Sequence, residues 1–162
     1  MKLNIGGGYY RIPEFLNVDL CEAADIKHDL RLPLPLENDS VEEIIVIHVI
    51  ESFYQWEFPE ILKDWYRVLQ PKGKITVEFT VLSKTIGLYV RGATPQIKQW
   101  GRWGLYGNQE SPLDPIVLHH YVYERQELEQ LFINTGFQIL DITTKDIVHV
   151  PTRDLRIVAT KL

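Results

Sequence analysis

Three consecutive glycines near the start of the chain lie between two short apolar runs, and the second run ends in an acid. Gly6, Gly7 and Gly8 follow residues 3–5, and Asp19 ends the run 15–19. Glycines after a strand permit positive φ angles and let a ligand approach the main chain without meeting a Cβ atom. A carboxylate at the end of the next strand offers acceptors for both hydroxyls of a ribose. The pattern therefore predicts a nucleoside-bearing cofactor at the ends of these strands.

Three histidines are candidates for further roles. His48 follows the apolar run 44–47 and is expected at the carboxyl edge of a sheet, where open α/β sheets bind ligands. There it either lines the cofactor pocket or is a hydrogen-bonded core residue. His119 and His120 serve either as a general base or only as loop residues. We expect no metal site, because no second histidine or carboxylate stands at ligand spacing and the only cysteine is distant.

The order of later features resembles a known family. The run Ser40-Val41-Glu42-Glu43 leads into the apolar residues 44–51, a helix ends in the sequence RVLQPKGK at 67–74, and a strand follows at 75–79. This series is similar to the class I S-adenosylmethionine-dependent methyltransferases, and within them to the small type 11 group. The resemblance covers about residues 2–80 and 121–162. It implies a Rossmann-like α/β fold with a mostly parallel sheet and one antiparallel strand, and S-adenosylmethionine as the cofactor.

The resemblance also implies roles for individual residues. The cofactor-binding residues would be Gly6, Gly7, Gly8, Asp19, Leu20, Asp29, Leu30 and His48. In the family, the pair that Asp29 and Leu30 match reads the adenine amino group and lines the base. The chain departs from the family where Tyr10 replaces the third glycine of the loop, and where Asn4 stands in place of a frequent acid. The helix that normally follows the third glycine is also missing from the pattern.

The composition predicts one domain over residues 1–162. Apolar residues make up 45% and charged residues 24% of the chain, as in an ordinary soluble protein. The formal net charge of −5 argues against nucleic acid as the main partner. A single cysteine, Cys21, rules out an internal disulfide. Because neither a signal peptide nor a run of about 20 apolar residues is present, we expect a cytoplasmic protein without a membrane partner.

Periodicity and turn signals predict the elements that position these residues. Strands are expected at 2–6, 15–19, near 28, 44–51, 74–81, 137–144 and 154–161. Helices are expected at 59–69, where Pro59 suits the first turn, and at 125–135, which Gly136 ends. The last two strands form a hairpin-like end with a turn near 150–152.

Residues 83–122 differ in composition from the rest of the chain. Between positions 83 and 109 there is no acidic residue and there are four basic ones: Lys84, Arg91, Lys98 and Arg102. Thr94 and Pro95 suit the start of a short helix with Thr94 as its cap. In the resembled family, substrate-specific insertions lie in this region. We therefore expect 83–122 to form the acceptor side or a lid, and its positive charge predicts a small-molecule acceptor with an anionic group.

Helices are expected on only one face of the sheet, because the connections between the first four strands are too short or too rich in proline. The apolar run 44–47 nevertheless predicts a strand that is buried on both faces. Either segment 83–122 or a second subunit must then cover the other face. We favour a homodimer with a twofold interface.

The function that these observations predict is methyl transfer from S-adenosylmethionine to an unidentified small-molecule or surface acceptor. One alternative is a catalytically silent nucleoside-binding or interaction module on the same fold, which Tyr10 and the missing helices favour. Another is an enzyme that transfers a related group, such as aminopropyl.

Overall fold

The computed structural model describes residues 1–108 and 118–162, which form a seven-stranded sheet with the order β3-β2-β1-β4-β5-β7-β6. The strands are β1 (Lys2–Ile5), β2 (Leu16–Asp19), β3 (Ile26–Lys27), β4 (Val41–Ile47), β5 (Leu69–Thr80), β6 (Phe137–Thr143) and β7 (Asp154–Lys161). Strands β1 to β5 pair in parallel, and β7 is antiparallel to both of its neighbours. The prediction of a Rossmann-like, mostly parallel sheet with one antiparallel strand is confirmed.

Four α-helices accompany the sheet in the described residues. They are α1 (Phe58–Val68), α2 (Leu82–Arg91), α3 (Pro95–Tyr106) and α4 (Arg125–Thr135). None of them has the length and apolarity that crossing a membrane requires. The predicted helices 59–69 and 125–135 are confirmed, since Pro59 lies in the first turn of α1 and Gly136, with a φ of 109°, ends α4.

One face of the sheet carries the hydrophobic core. Alternate residues of β1, β4 and β5 are fully buried on this face: Leu3, Ile5, Ile44, Val46, Ile75, Val77 and Phe79. Helices α1 and α4 cover it, and Trp65 of α1 and Phe132 of α4 belong to the same buried cluster. Because α1 and α4 both pack on this face, the predicted depletion of helices concerns the opposite face.

The opposite face of the sheet is only partly covered. Ile45 and Ile47 of β4 are half-buried there, so the prediction of a strand buried on both faces is wrong. A continuous apolar run also fits a strand with one buried and one half-covered face. Loops contact this second face at two places, where Asn4 donates to the carbonyl of Tyr10 at 2.8 Å and the N–H of Val148 donates to the Glu78 carboxylate at 2.9 Å.

Helices α2 and α3 form a hairpin after β5. Gly101 permits their close contact, because a Cβ atom at this position would lie 2.7 Å from the backbone nitrogen of Tyr89. Thr94 caps α3 by accepting from the N–H of Ile97 at 3.2 Å, which confirms the predicted helix start. Arg153, which directly precedes β7, joins the hairpin to the sheet by donating to the carbonyl of Trp100 at 3.1 Å. The sequence analysis did not predict α2, whose apolar residues Ile86, Tyr89 and Val90 are exposed in the structure.

Strand β4 ends earlier than expected. The sequence predicted a strand to residue 51, but the backbone turns at His48, which has a φ of 52°, and Ile50–Ser52 form a short 3-10 turn. Positive φ is uncommon for a residue other than glycine and must be stabilised by its surroundings. The polar contacts of His48, described below, supply that stabilisation.

Candidate functional site

A cavity of about 390 Å³ opens at the carboxyl ends of β1, β2 and β4, within the size range of small-ligand sites. Every residue that the sequence indicated for cofactor binding or catalysis lines it: Gly6, Gly7, Gly8, Asp19, Leu20, Asp29, Leu30, His48, His119 and His120. The lining also includes residues that the sequence did not indicate: Tyr9, Cys21, His28, Arg31, Val49, Ser52 and Phe53. Only their nearness in sequence to the named residues could have suggested them.

The glycine loop is shaped by its backbone and by a buried amide pair. Gly6 and Gly8 have φ angles of 66° and 53°, in the region that glycine adopts readily. A Cβ atom on Gly7 would lie 2.1 Å from the side chains of Asn4 and Asn17, which hydrogen-bond to each other at 3.0 Å. Asn4 therefore holds the loop from inside the fold, although the resembled family often has an acid at this position.

Asp19 faces the cavity and also holds the glycine loop. Its carboxylate accepts from the backbone N–H groups of Gly8 and Cys21, both at 2.9 Å. Each carboxylate oxygen has two lone pairs, so acceptor capacity remains for ribose hydroxyls. Asp29 accepts from the N–H of Arg31 at 3.0 Å and lies next to Leu30 in the lining.

His48 contacts three buried carboxylates. Its Nδ1 lies 3.3 Å from Glu51, and its Nε2 lies 3.4 Å from Glu78 and 3.2 Å from Asp154. The Nε2 contacts have ion-pair distances without hydrogen-bond geometry. A neutral ring would turn a nitrogen lone pair toward a carboxylate, so both nitrogens must carry protons. Burial alone would lower the pKa of His48, but the three carboxylates outweigh burial and raise this pKa well above 6.5.

Two arginines complete the ionic cluster around His48. Arg153 pairs with Asp154 at 2.6 and 3.0 Å, and Arg156 pairs with Glu78 at 2.9 Å. Three carboxylates thus face three cations when His48 is protonated. Although burial disfavours the charged form of Glu51, the hydrogen bond and charge of His48 hold the pKa of Glu51 at about 2. His48 thus lines the cavity and also contacts buried groups of the core, while its part in cofactor binding stays a prediction of the sequence.

The ionic cluster also has the residue types of a metal site. Ligand atoms of His48, Glu78 and Asp154 lie within 4.8 Å of one another. Each carboxylate is, however, already paired with an arginine and accepts backbone N–H bonds from 148–150. A divalent ion would add positive charge to a cluster that is already balanced. We therefore assign no metal here, and the absence of a metal site stays a prediction of the sequence.

Glu51 links the ionic cluster to the histidine pair. Its carboxylate contacts His48 and accepts from the N–H of Thr80 at 2.7 Å. Its backbone carbonyl accepts from the N–H of His120 at 2.7 Å and of Tyr121 at 3.3 Å. The Glu51 side chain is fully buried and holds other residues in place.

His119 and His120 differ in their surroundings. The Nδ1 of His119 lies 2.9 Å from the carbonyl of Gly104, an acceptor that places the proton of a neutral ring on Nδ1. Nε2 of His119 then has the lone pair that a general base needs. His120 is exposed, and its ring packs on Tyr54 with centroids 4.3 Å apart. This arrangement favours His119 over His120 as a base.

The basic residues of segment 83–109 do not line this cavity. Lys98 and Arg102 line a separate groove together with Thr94, and Lys84 lines a third cavity between the starts of α2 and α4. That third cavity is larger, about 610 Å³, but its lining contains no glycine loop. Within the part of the chain that the structure describes, only His119 and His120 bring segment 83–122 to the lining of the cavity beside the glycine loop.

The fold is that of the S-adenosylmethionine-dependent methyltransferases. Solved structures of such enzymes that share it come from Methanosarcina mazei (16% identity, TM-score 0.70, 99% of this chain and 92% of that chain) and Archaeoglobus fulgidus (15%, 0.66, 99% and 85%). Another comes from Mesorhizobium loti (13%, 0.66, 99% and 90%). No protein-family model matches the chain, and no curated protein matches it. At these identities the likeness concerns the fold alone.

Removing the charge of His48 should destabilise the protein. In His48→Asn, three buried carboxylates would face only two arginines, and asparagine tolerates the positive φ. We expect the free energy of unfolding, measured by urea denaturation at pH 6, to fall by about 3–5 kcal/mol. The double variant His48→Asn/Glu51→Gln restores the balance and should recover much of this loss. A single variant as stable as the wild type would contradict the charged cluster.

The same cluster predicts a pH dependence with a defined sign. Because the pKa of His48 is raised by folding, its contribution is complete below pH 6.5 and is lost as pH rises through the folded-state pKa. Burial and the charge of His48 lower the pKa of His149, so the titration of His149 reduces the stability of the folded protein only as the pH falls. The stability difference between wild type and His48→Asn should shrink above pH 6.5. A constant difference from pH 6 to 9 would argue against an imidazolium.

Proposed function

We propose that this protein transfers a methyl group from S-adenosylmethionine to a small-molecule acceptor. The observation that supports this most is the meeting of the glycine loop, Asp19 and the Asp29–Leu30 pair on one cavity at the carboxyl edge of a methyltransferase fold. Ligands of open α/β sheets bind at this edge. The type 11 group, the cytoplasmic location and the absence of a nucleic-acid partner stay predictions of the sequence.

The residues of the cavity fit such a cofactor. A Cβ atom on Gly8 would meet nothing within 4 Å, so the loop leaves open space beside its backbone. Asp19 would accept from the ribose hydroxyls, and Asp29 with Leu30 would contact the adenine. When bound, the cofactor supplies a methyl group on a sulfonium, which is already an activated leaving group. The loop and the acids would therefore act by positioning and by excluding water.

His119 would act as the general base where the acceptor is a hydroxyl or a protonated amine. Its Nε2 would take the proton from the acceptor, while its Nδ1 keeps its own proton and donates it in a hydrogen bond to the Gly104 carbonyl. His48 has no nitrogen free for this role, since both face carboxylates. Segment 83–122 would form the acceptor side through His119 and His120. None of the four basic residues of this segment is among the described lining of the cavity, so they would not contact an anionic group of an acceptor there.

A homodimer through the half-covered second face of the sheet is part of the proposal. Ile45 and Ile47 leave apolar surface there, and a twofold interface would bury it. Light scattering should show a dimer for the wild type and a monomer for Ile45→Glu. The control Ile133→Glu alters an exposed apolar residue of α4 and should stay dimeric. A monomeric wild type at all accessible concentrations would reject the dimer.

Cofactor binding should depend on Asp19. Asp19→Ala removes charge-assisted hydrogen bonds of roughly 1.5–3 kcal/mol each, so calorimetry should show S-adenosylhomocysteine binding at least about tenfold more weakly. Asp25→Ala is the matched control, because Asp25 also accepts a backbone N–H, from Asn17 at 2.7 Å, but does not line the cavity. Unchanged affinity in Asp19→Ala would remove the ribose assignment, and equal losses in both variants would indicate loosening of the loop.

Turnover should depend on His119 more than on His120. With an acceptor found by screening for S-adenosylhomocysteine release, His119→Ala should lower kcat by about 10²–10⁴-fold and leave cofactor affinity unchanged. His120→Ala should have a smaller effect, because its ring is exposed and stacked on Tyr54. Full activity in both single variants and in the double variant would leave positioning as the whole mechanism.

A further inference from the structure

Three aromatic side chains form a stacked row that starts at the cavity and leads outward. The rings of Tyr54 and Trp56 are nearly parallel, with centroids 4.5 Å apart and planes inclined by 6°. His120 packs on Tyr54 at 4.3 Å, with an inclination of 30°. His120 lines the cofactor cavity, so this ring row continues its wall onto the surface.

The ring row is exposed although the turn that carries it is well ordered by polar contacts. Trp56 is 72% exposed and Tyr54 is 39% exposed. The N–H of Tyr54 donates to Glu57 at 2.9 Å, and Gln55 donates to the hydroxyl of Tyr121 at 3.0 Å. The turn therefore holds its shape without burying either ring. Aromatic surface presented in this way next to a cavity is typical of a binding site.

The charges beside the ring row are already paired. Arg31 lies 3.5 Å from Glu57 and 3.6 Å from Asp29, and Lys63 lies 2.6 Å from Glu60. Trp56, Arg31 and Glu57 also line a groove of about 510 Å³ that borders the row. Because these positive and negative groups pair with one another, the surface favours an uncharged ligand over an ionic one.

We propose that the ring row binds an uncharged planar aromatic portion of the methyl acceptor. Offset-stacked rings attract each other beyond their apolar contact, and Trp56 presents most of its ring for such stacking. The reacting atom of the acceptor then lies in the cavity near His119, and its aromatic portion lies along the ring row. This assignment rests on the proposed function and differs from the anionic acceptor that the composition of segment 83–122 predicts.

A matched pair of probes tests the ring row directly. 2-Naphthol is planar and uncharged at neutral pH, and decahydro-2-naphthol has the same ring skeleton without planarity or π electrons. In the presence of S-adenosylhomocysteine, calorimetry should show 2-naphthol binding at least about fivefold more tightly than the saturated compound. Trp56→Ala should weaken 2-naphthol by about three- to tenfold, while Trp56→Phe, which keeps a ring, should retain most of the affinity. Ile133→Ala, on exposed apolar surface of α4, should change nothing.

Two results would overturn the assignment: equal affinity for the two probes, or unchanged affinity for 2-naphthol in Trp56→Ala. A dimer of the wild type that becomes a monomer in Trp56→Ala would also overturn it, because the row would then be a subunit contact. Binding of S-adenosylhomocysteine alone is measured separately. If S-adenosylhomocysteine does not bind while 2-naphthol still binds at Trp56, the proposed function is rejected and the aromatic site is retained.

Discussion

The ion pairs of His48 connect more of this structure than any other single interaction. One imidazolium joins the 3-10 turn after β4, the end of β5 and the start of β7, because Glu51, Glu78 and Asp154 come from these three places. Glu78 also accepts from backbone N–H groups of the loop between β6 and β7. Each buried carboxylate would be costly alone, so the cluster is stable only as a complete set.

The ionic cluster also sets the shape of the cavity beside the glycine loop. The positive φ of His48 turns the chain so that Val49 packs against the glycine loop, where a Cβ atom on Gly6 would lie 2.4 Å from the Val49 side chain. Glu51 extends the cluster to the other wall, since its carbonyl holds the backbone of His120. The glycine loop and the histidine pair are thus held at a fixed separation by buried charge.

The sequence predicted the sheet and helices α1 and α4, because these follow from local periodicity and turn signals. Part of the cavity lining was also indicated, by the glycine loop, by Asp19 and by the resemblance to a methyltransferase family, but residues such as Tyr9 and Phe53 were not. The sequence did not predict the ionic cluster. Glu78 reads as an outward residue of an alternating strand and Asp154 as the first residue of another. The parallel register of β4 with β5 brings Glu78 to His48, and the antiparallel insertion of β7 brings Asp154 there. The sequence analysis also missed α2, several of whose apolar residues are exposed, and the half-burial of Ile45.

Three of the four histidines that line the cavity, His48, His119 and His120, illustrate why residue type alone could not assign their roles. His48 faces carboxylates with both nitrogens, which makes it a cation and removes it from proton transfer. His119 faces a single carbonyl through Nδ1, which leaves Nε2 as the nitrogen suited to accept a proton. His120 packs the face of its ring on Tyr54 and so belongs to the ring row, along which an acceptor would bind. The groups that surround each imidazole decide between charge, base and stacking surface, and those groups come from distant parts of the chain.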